Sequence, residues 1–370
     1  MKGHAMRSIG VDEINDIALG AALLGAGGGG DPYIGRLIAI QAVRECGPVT
    51  LIEPDELPDD AFIAPCAMMG APTVMTEKGS GRNDFDRLFD LVEQYSDKKI
   101  YATMPMEAGG VNSMLPIAAA ARRGIPLVDV DGMGRAFPEL QMVTFTIGGA
   151  SATPLAYSDE KGNAGVMSNV SNKWTEDIAR SITNVVGGQL MICLYTMSAQ
   201  MCREWGVKGI VSKCEQYGKA IRSIKEGLAD TTTEQRFLEL TDGYRLFSGK
   251  VVDVLRETRG AFNFGKVILE GIGGDKGHKA SVEYQNENLR CEVDGETLAT
   301  APDLICLVDQ DTYTPVPNEA VKYGKRVLIV GLPCAPQWRT EEGIKLVGPR
   351  YFGIDTDYIP VEERSKRKGE

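Results

Sequence analysis

The sequence predicts an α/β protein with an N-terminal parallel-sheet α/β domain carrying helices on its faces, then a helical middle and a mostly β C-terminal domain. Three observations predict it. Apolar runs at 49–52, 61–65, 99–103 and 126–130 alternate with helical stretches at 84–95 and 110–123, the pattern of parallel α/β units. Helical periodicity then dominates from Asn172 to Leu240. From Tyr244 onward β-branched and aromatic residues alternate with polar ones, as in Ala280-Ser281-Val282-Glu283-Tyr284. The expected domains are 6–170 and 171–362, the second divided into a helical segment, 171–242, and a β-rich segment, 243–362.

In chain order, Val11–Leu24 places Ile14, Ile17, Ala18, Ala21 and Leu24 at helical spacing behind acidic Asp12 and Glu13, and should end at Gly25. After the glycine run Gly27-Gly28-Gly29-Gly30, Asp31 is a fitting N-cap and Pro32 a fitting first residue for a helix to about Glu45. Past Leu140, strands are expected at Met142–Ile147 and Thr153–Tyr157, the latter followed by the turn Asp159–Asn163. Helices are expected at Asn172–Val185, Leu190–Trp205 and Val207–Glu226, with a shorter one from Glu234 to Leu240 behind a threonine-rich cap. A glycine-rich loop, Gly271–Lys279, separates strands Lys266–Glu270 and Ala280–Tyr284, and the charged tail Glu362–Lys368 should fray.

Composition excludes several functions. The 370 residues carry 40 Lys and Arg against 51 Asp and Glu, so a net charge of −11 provides no basic field for nucleic acid. No apolar run approaches the roughly 20 residues of a bilayer span, so no membrane association is expected. His4 lies in Met1–Met6, which reads as an added leader before a native Met6, leaving His278 as the only native imidazole. A Ser-His-Asp triad or a multi-histidine zinc site then has at most one imidazole per chain to use, unless another subunit supplies one. Eight cysteines show no C-x-x-C pair, and no signal peptide is visible, which indicates a reducing cytoplasm where most cysteines are small buried apolar residues.

Several segments could carry chemistry. The amides of Gly28, Gly29 and Gly30, with Asp31 opening the next helix, can approach an anionic ligand, or the glycines can permit a close helix crossing. Because a helix precedes them and no Lys-Ser/Thr follows, they match neither the dinucleotide fingerprint nor Walker A, and no nucleotide cofactor is expected. Cys66, in Ala64–Pro72, is expected at a strand's C-terminal end, as a nucleophile if a cation lowers its pKa and as a buried apolar residue otherwise; Cys334 invites the same two readings. Glu107, between Met104 and Gly110, adds a carboxylate at another strand end. In Val128–Glu139, alternation puts Asp129 and Asp131 on one strand face, to bind a cation or share a proton, with Arg135 as an anion ligand or merely their ion-pair partner. His278 is either a hairpin-loop residue or an acid–base or metal ligand, and Asn286 and Glu287 follow an apolar strand toward an interdomain cleft.

Gly27–Pro32, Val128–Glu139, Gln285–Leu289, Gly331–Pro333 and Val347–Gly353 together resemble the S-methyl thiohydantoin desulfurase family, associated with hydantoinase/oxoprolinase proteins. The resemblance implies an N-terminal domain with the first two motifs, a C-terminal domain with the rest, and hydrolytic removal of a methylthio group from an S-methylated thiohydantoin. Two routes fit the residues: covalent addition by Cys66 with Asp129, Asp131 or Glu107 as acid–base groups, or a divalent metal such as zinc held by Asp129 and Asp131 with His278 or a cysteine. Arg135, the glycine-loop amides, Asn286 and Glu287 would hold the substrate. The expected partners are a small-molecule substrate and a second copy of the chain, with a hydantoinase/oxoprolinase protein as a further candidate. The alternatives are a non-catalytic small-molecule binding protein and a subunit of a hydantoinase/oxoprolinase assembly.

Overall fold

The computed structural model describes residues 7–70, 84–227, 233–259 and 262–367; residues 1–6, Ala71-Pro72, Thr231-Thr232 and Lys368 lie outside them. Helix α1, Val11–Leu24, buries Ile14, Ile17, Ala18, Ala21 and Leu24 as its periodicity requires, and ends at Gly25. Helix α2, Pro32–Cys46, starts with Pro32 as its first residue and Asp31 Oδ1 accepting the Tyr33 N–H at 2.8 Å. Helix α3, Ile210–Lys225, crosses α1 so closely that a β-carbon on Gly20 would lie 1.8 Å from the Cys214 carbonyl oxygen, and one on Gly218 1.8 Å from that of Asp16. Only glycine fits at those two points.

The protein is a mixed α/β structure whose C-terminal part is a seven-stranded antiparallel sheet. Its strands run in the order Glu296–Thr300, Glu287–Val293, Lys279–Gln285, Phe262–Gly271, Tyr244–Arg259, Arg326–Leu332, Leu304–Asp309. Among the described residues, parallel pairing in the N-terminal part is confined to Val49–Ile52 with Leu127–Val128 and to isolated bridges joining Ile63 to Ala102, Cys66 to Pro105 and Thr103 to Leu127. A second sheet there is antiparallel, ordered Cys66–Gly70, Gln189–Cys193, Leu155–Ser158, Ala164–Met167.

Several expected elements differ. Leu190–Trp205 is not one helix: Gln189–Cys193 is a strand buried along its whole length, Tyr195 has φ 50°, and a helix forms only over Ala199–Trp205. A short apolar run buried on both sides carries no period, so it cannot be told from helix by pattern. Met142–Ile147 contains a short helix, Thr144–Ile147, instead of a strand. The stretch from Val128 to Asp131 is interrupted at Asp129, with Leu127–Val128 and Val130–Asp131 pairing different partners. The tail is not frayed from Glu362, because helix Val361–Arg367 covers it.

One large apolar core draws residues from both halves, including Ile17, Met104, Val128, Phe145, Cys306, Val330 and Trp338. A second lies on the C-terminal sheet around Phe247, Val251 and Ile329, and a third packs helix Asp84–Ser96 on the four-stranded sheet. Among the described residues no helix is long and apolar enough to cross a membrane.

Candidate functional site

The glycine loop is clamped by the C-terminal sheet. The Asn288 N–H donates to the Ala26 carbonyl and the Asn318 N–H to that of Gly27, each at 2.8 Å, so strand Glu287–Val293 begins on the loop. A β-carbon on Gly28 would sit 2.1 Å from Glu287 Oε1, and the Gly29 N–H donates to the Glu287 side chain. The group held by this loop is thus the protein's own Glu287 carboxyl. A β-carbon on Gly29 would in turn be 2.6 Å from the Gly109 α-carbon, which brings the Glu107 segment alongside.

Glu107 and Glu287 line one cavity of ≈ 370 Å³, together with Gly28, Gly29 and Asn112. Its apolar walls are Met68, Met69, Met106, Met133, Phe137 and Phe264, and its rim carries Arg180, Arg256, Asn263, Asn286 and Asn318. Arg180 joins the rim from helix Asn172–Val185, bonded to Glu176 at 2.7 Å and to the Pro138 carbonyl at 3.0 Å, and lies 4.4 Å over the Phe262 ring. Arg256 donates to the Asn318 carbonyl at 2.9 Å and to that of Val321. The Asn286 N–H meets the Asn263 carbonyl at 2.7 Å, and Asn286 Oδ1 accepts the Asn263 N–H at 2.9 Å, a local clasp between adjacent strands.

The two carboxyl groups are perturbed in the same direction. Burial pushes Glu107 up to about 7, against the opposing effects of an Asn112 hydrogen bond, the Phe137 N–H and the Arg135 charge. Glu287 is held well above the usual carboxylate range by burial and by the neighbouring Glu107, with Arg135 opposing. Among the described residues Glu287 Oε2 has no hydrogen-bond partner. Both carboxyl groups are thus biased toward their protonated forms, an arrangement suited to passing protons.

The other expected site residues do not line the cavity. Asp129 is fully buried and caps α3, accepting from the Val211 N–H at 2.7 Å, the Ser212 N–H at 3.2 Å and the Ser212 hydroxyl. Asp131 accepts from the Gly134 N–H at 2.8 Å and the Met133 N–H at 3.3 Å, so the two aspartates serve different backbones and share no site. Arg135 is fully buried, donating to the carbonyls of Pro302 at 2.9 Å, Asp303 at 2.7 Å and Asn288 at 3.2 Å, and is thereby a strut between the halves rather than a substrate ligand. Gly30 and Asp31 do not line the cavity.

Cys66 opens its strand instead of ending it; it is fully buried beside the Thr103 hydroxyl at 3.8 Å, and burial pushes its thiol up to about 12. Cys334 is pushed up to about 12 as well. His278 stands on an exposed hairpin, its Nδ1 2.5 Å from Asp294, far in the fold from both aspartates. Among the described residues no group of three or more His, Cys, Asp and Glu could hold a metal ion. Sequence reasoning missed Asn112, Arg180, Arg256 and Asn318. None stands in a glycine- or carboxylate-rich motif, and only tertiary contact reveals them.

Comparison with known proteins agrees in family and fold. Residues 12–169 match the S-Me-THD-like N-terminal domain and residues 170–361 the S-Me-THD-like C-terminal domain. No curated protein matches. A crystal structure of a protein from Chromobacterium violaceum superposes with a TM-score of 0.79 at 21% identity, covering 96% of this chain and 100% of that one, a likeness of fold. With both domain models together spanning almost its full length, the chain belongs to the S-Me-THD-like family.

Proposed function

We propose that the protein is a hydrolase acting on a hydantoin-like ring, converting an S-methyl thiohydantoin and water into a hydantoin and methanethiol. The observation that carries this reading is the pair of perturbed carboxyl groups, Glu107 and Glu287, in one partly apolar cavity. Family membership supports the substrate class. In this reading the Glu107 carboxylate takes a proton from water as its oxygen bonds to the ring carbon that bears sulfur. The C=N pair displaced onto the ring nitrogen returns as the tetrahedral adduct collapses and the carbon–sulfur bond breaks, protonated Glu287 supplies the proton that methanethiol carries away, and the hydroxyl proton shifts through solvent to the nitrogen to leave the hydantoin. Exchange with solvent returns both groups to their starting states.

Phe137, Phe264 and the methionines provide a wall for a flat ring and a methylthio group. The reading assigns no step to Cys66, because a thiol held near 12 supplies almost no thiolate at neutral pH. The test is turnover of an S-methyl thiohydantoin in ¹⁸O-water by the purified chain. Methanethiol release with one ¹⁸O in the hydantoin carbonyl is expected. Binding without turnover would favour a non-catalytic binding protein, and turnover only after a second protein is added would favour a subunit of an assembly.

A further inference from the structure

We propose that Asn112 is a positioning residue for Glu107: its amide, locked by the Met68 backbone, donates permanently to Glu107 Oε1 and leaves Oε2 to exchange the proton. The inference rests on the reading of Glu107 as the acid–base group. An asparagine amide taken alone can face either way, and here two backbone groups settle it. Asn112 Oδ1 accepts the Met68 N–H at 2.8 Å, and Nδ2 donates to the Met68 carbonyl at 3.1 Å. The remaining Nδ2 hydrogen points to Glu107 Oε1 at 2.7 Å. Turning the amide over would set its oxygen against the Met68 carbonyl and Glu107 Oε1 at once, three acceptors with no proton among them.

Both anchors are rigid. Met68 sits within strand Cys66–Gly70, paired opposite Met191, and Asn112 sits in a turn where the Ser113 N–H donates to the Gly109 carbonyl at 3.0 Å and Ser113 Oγ accepts the Gly109 N–H at 3.1 Å. Asn112 is 7% exposed, so water does not replace it cheaply. An amide cannot change protonation state near neutrality, so its hydrogen bond favours the Glu107 carboxylate over the acid. Among charged groups that face Glu107, Arg135 works in the same direction, while the Glu107 charge itself raises Asp131 and Glu287.

The experiment is an infrared pH titration of the Glu107 carboxyl band, identified by its disappearance in Glu107→Gln, in the wild type and in Asn112→Ala. The band midpoint is expected to rise by about one pH unit in Asn112→Ala. The acid limb of kcat/KM should rise with it, and kcat should fall more than KM changes. Asn112→Asp, which keeps the size of the side chain but replaces the donor with an acceptor, should raise the midpoint too; it serves as the second variant if Asn112→Ala does not fold. An unmoved midpoint and limb in a folded variant would overturn the assignment. Full activity in Glu107→Gln would instead sink the catalytic reading, while the band titration still reports on Asn112.

Discussion

At the scale of single residues, one β-carbon separates a working Glu287 from a displaced one. Gly28→Ala would put a methyl group 2.1 Å from Glu287 Oε1, and the side chain would have to leave the Gly29 N–H. A loss of about 1–3 kcal/mol in denaturant unfolding is expected, with a larger proportional loss of activity. Glu107 gives a pH signature. A carboxyl raised from 4.5 to about 7 stabilises the fold fully below pH 4.5, and that contribution disappears as pH rises toward about 7. Glu107→Gln should therefore flatten part of the decline in melting temperature across that window. An identical pH dependence in the two proteins would show that Glu107 does not titrate there.

At the scale of elements, Asp129 joins a strand end to helix α3. Asp129→Ala strips the cap from Val211 and Ser212 and should cost about 1–2 kcal/mol of stability. The altered protein should keep its turnover at temperatures well below melting, because Asp129 is not in the cavity lining; turnover lost in a folded Asp129→Ala would restore it to the chemistry. Much of the element structure is legible in the sequence. The Asp31-Pro32 start of α2, the Gly25 end of α1 and the alternating strands after Tyr244 are local signals that tertiary packing did not overrule. Gln189–Cys193 was illegible because a fully buried strand and a buried helix share one apolar pattern. Asp129 and Asp131 looked paired only while their strand was taken as continuous.

At the scale of the whole molecule, the site exists only because the two halves meet. Glu107 comes from residues 12–169 and Glu287 from residues 170–361, and the glycine loop lies against both the Gly109 turn and the Glu287 side chain. The candidate site was legible to the extent that Gly28, Gly29, Glu107, Asn286 and Glu287 lie at glycine-rich turns or strand ends; their convergence is a long-range fact that no local pattern carries. Arg135 is the buried strut across this junction, tying the segment after Asp131 to three backbone carbonyls of the C-terminal half. Arg135→Met would leave those carbonyls without their donor and Glu287 without a nearby positive charge. A destabilisation of about 3–5 kcal/mol is expected in chemical denaturation, and a value within 0.5 kcal/mol of wild type would refute the strut.

The central claim is that Glu107 and Glu287 together move the protons of the hydrolysis. It is tested most directly by methanethiol release from an S-methyl thiohydantoin, measured under single-turnover conditions for wild type, Glu107→Gln and Glu287→Gln of matched folded content. The account predicts release by the wild type and a fall of about 10²–10⁴-fold in each variant. Undiminished release by either variant, or loss in Cys66→Ala alone, would contradict it.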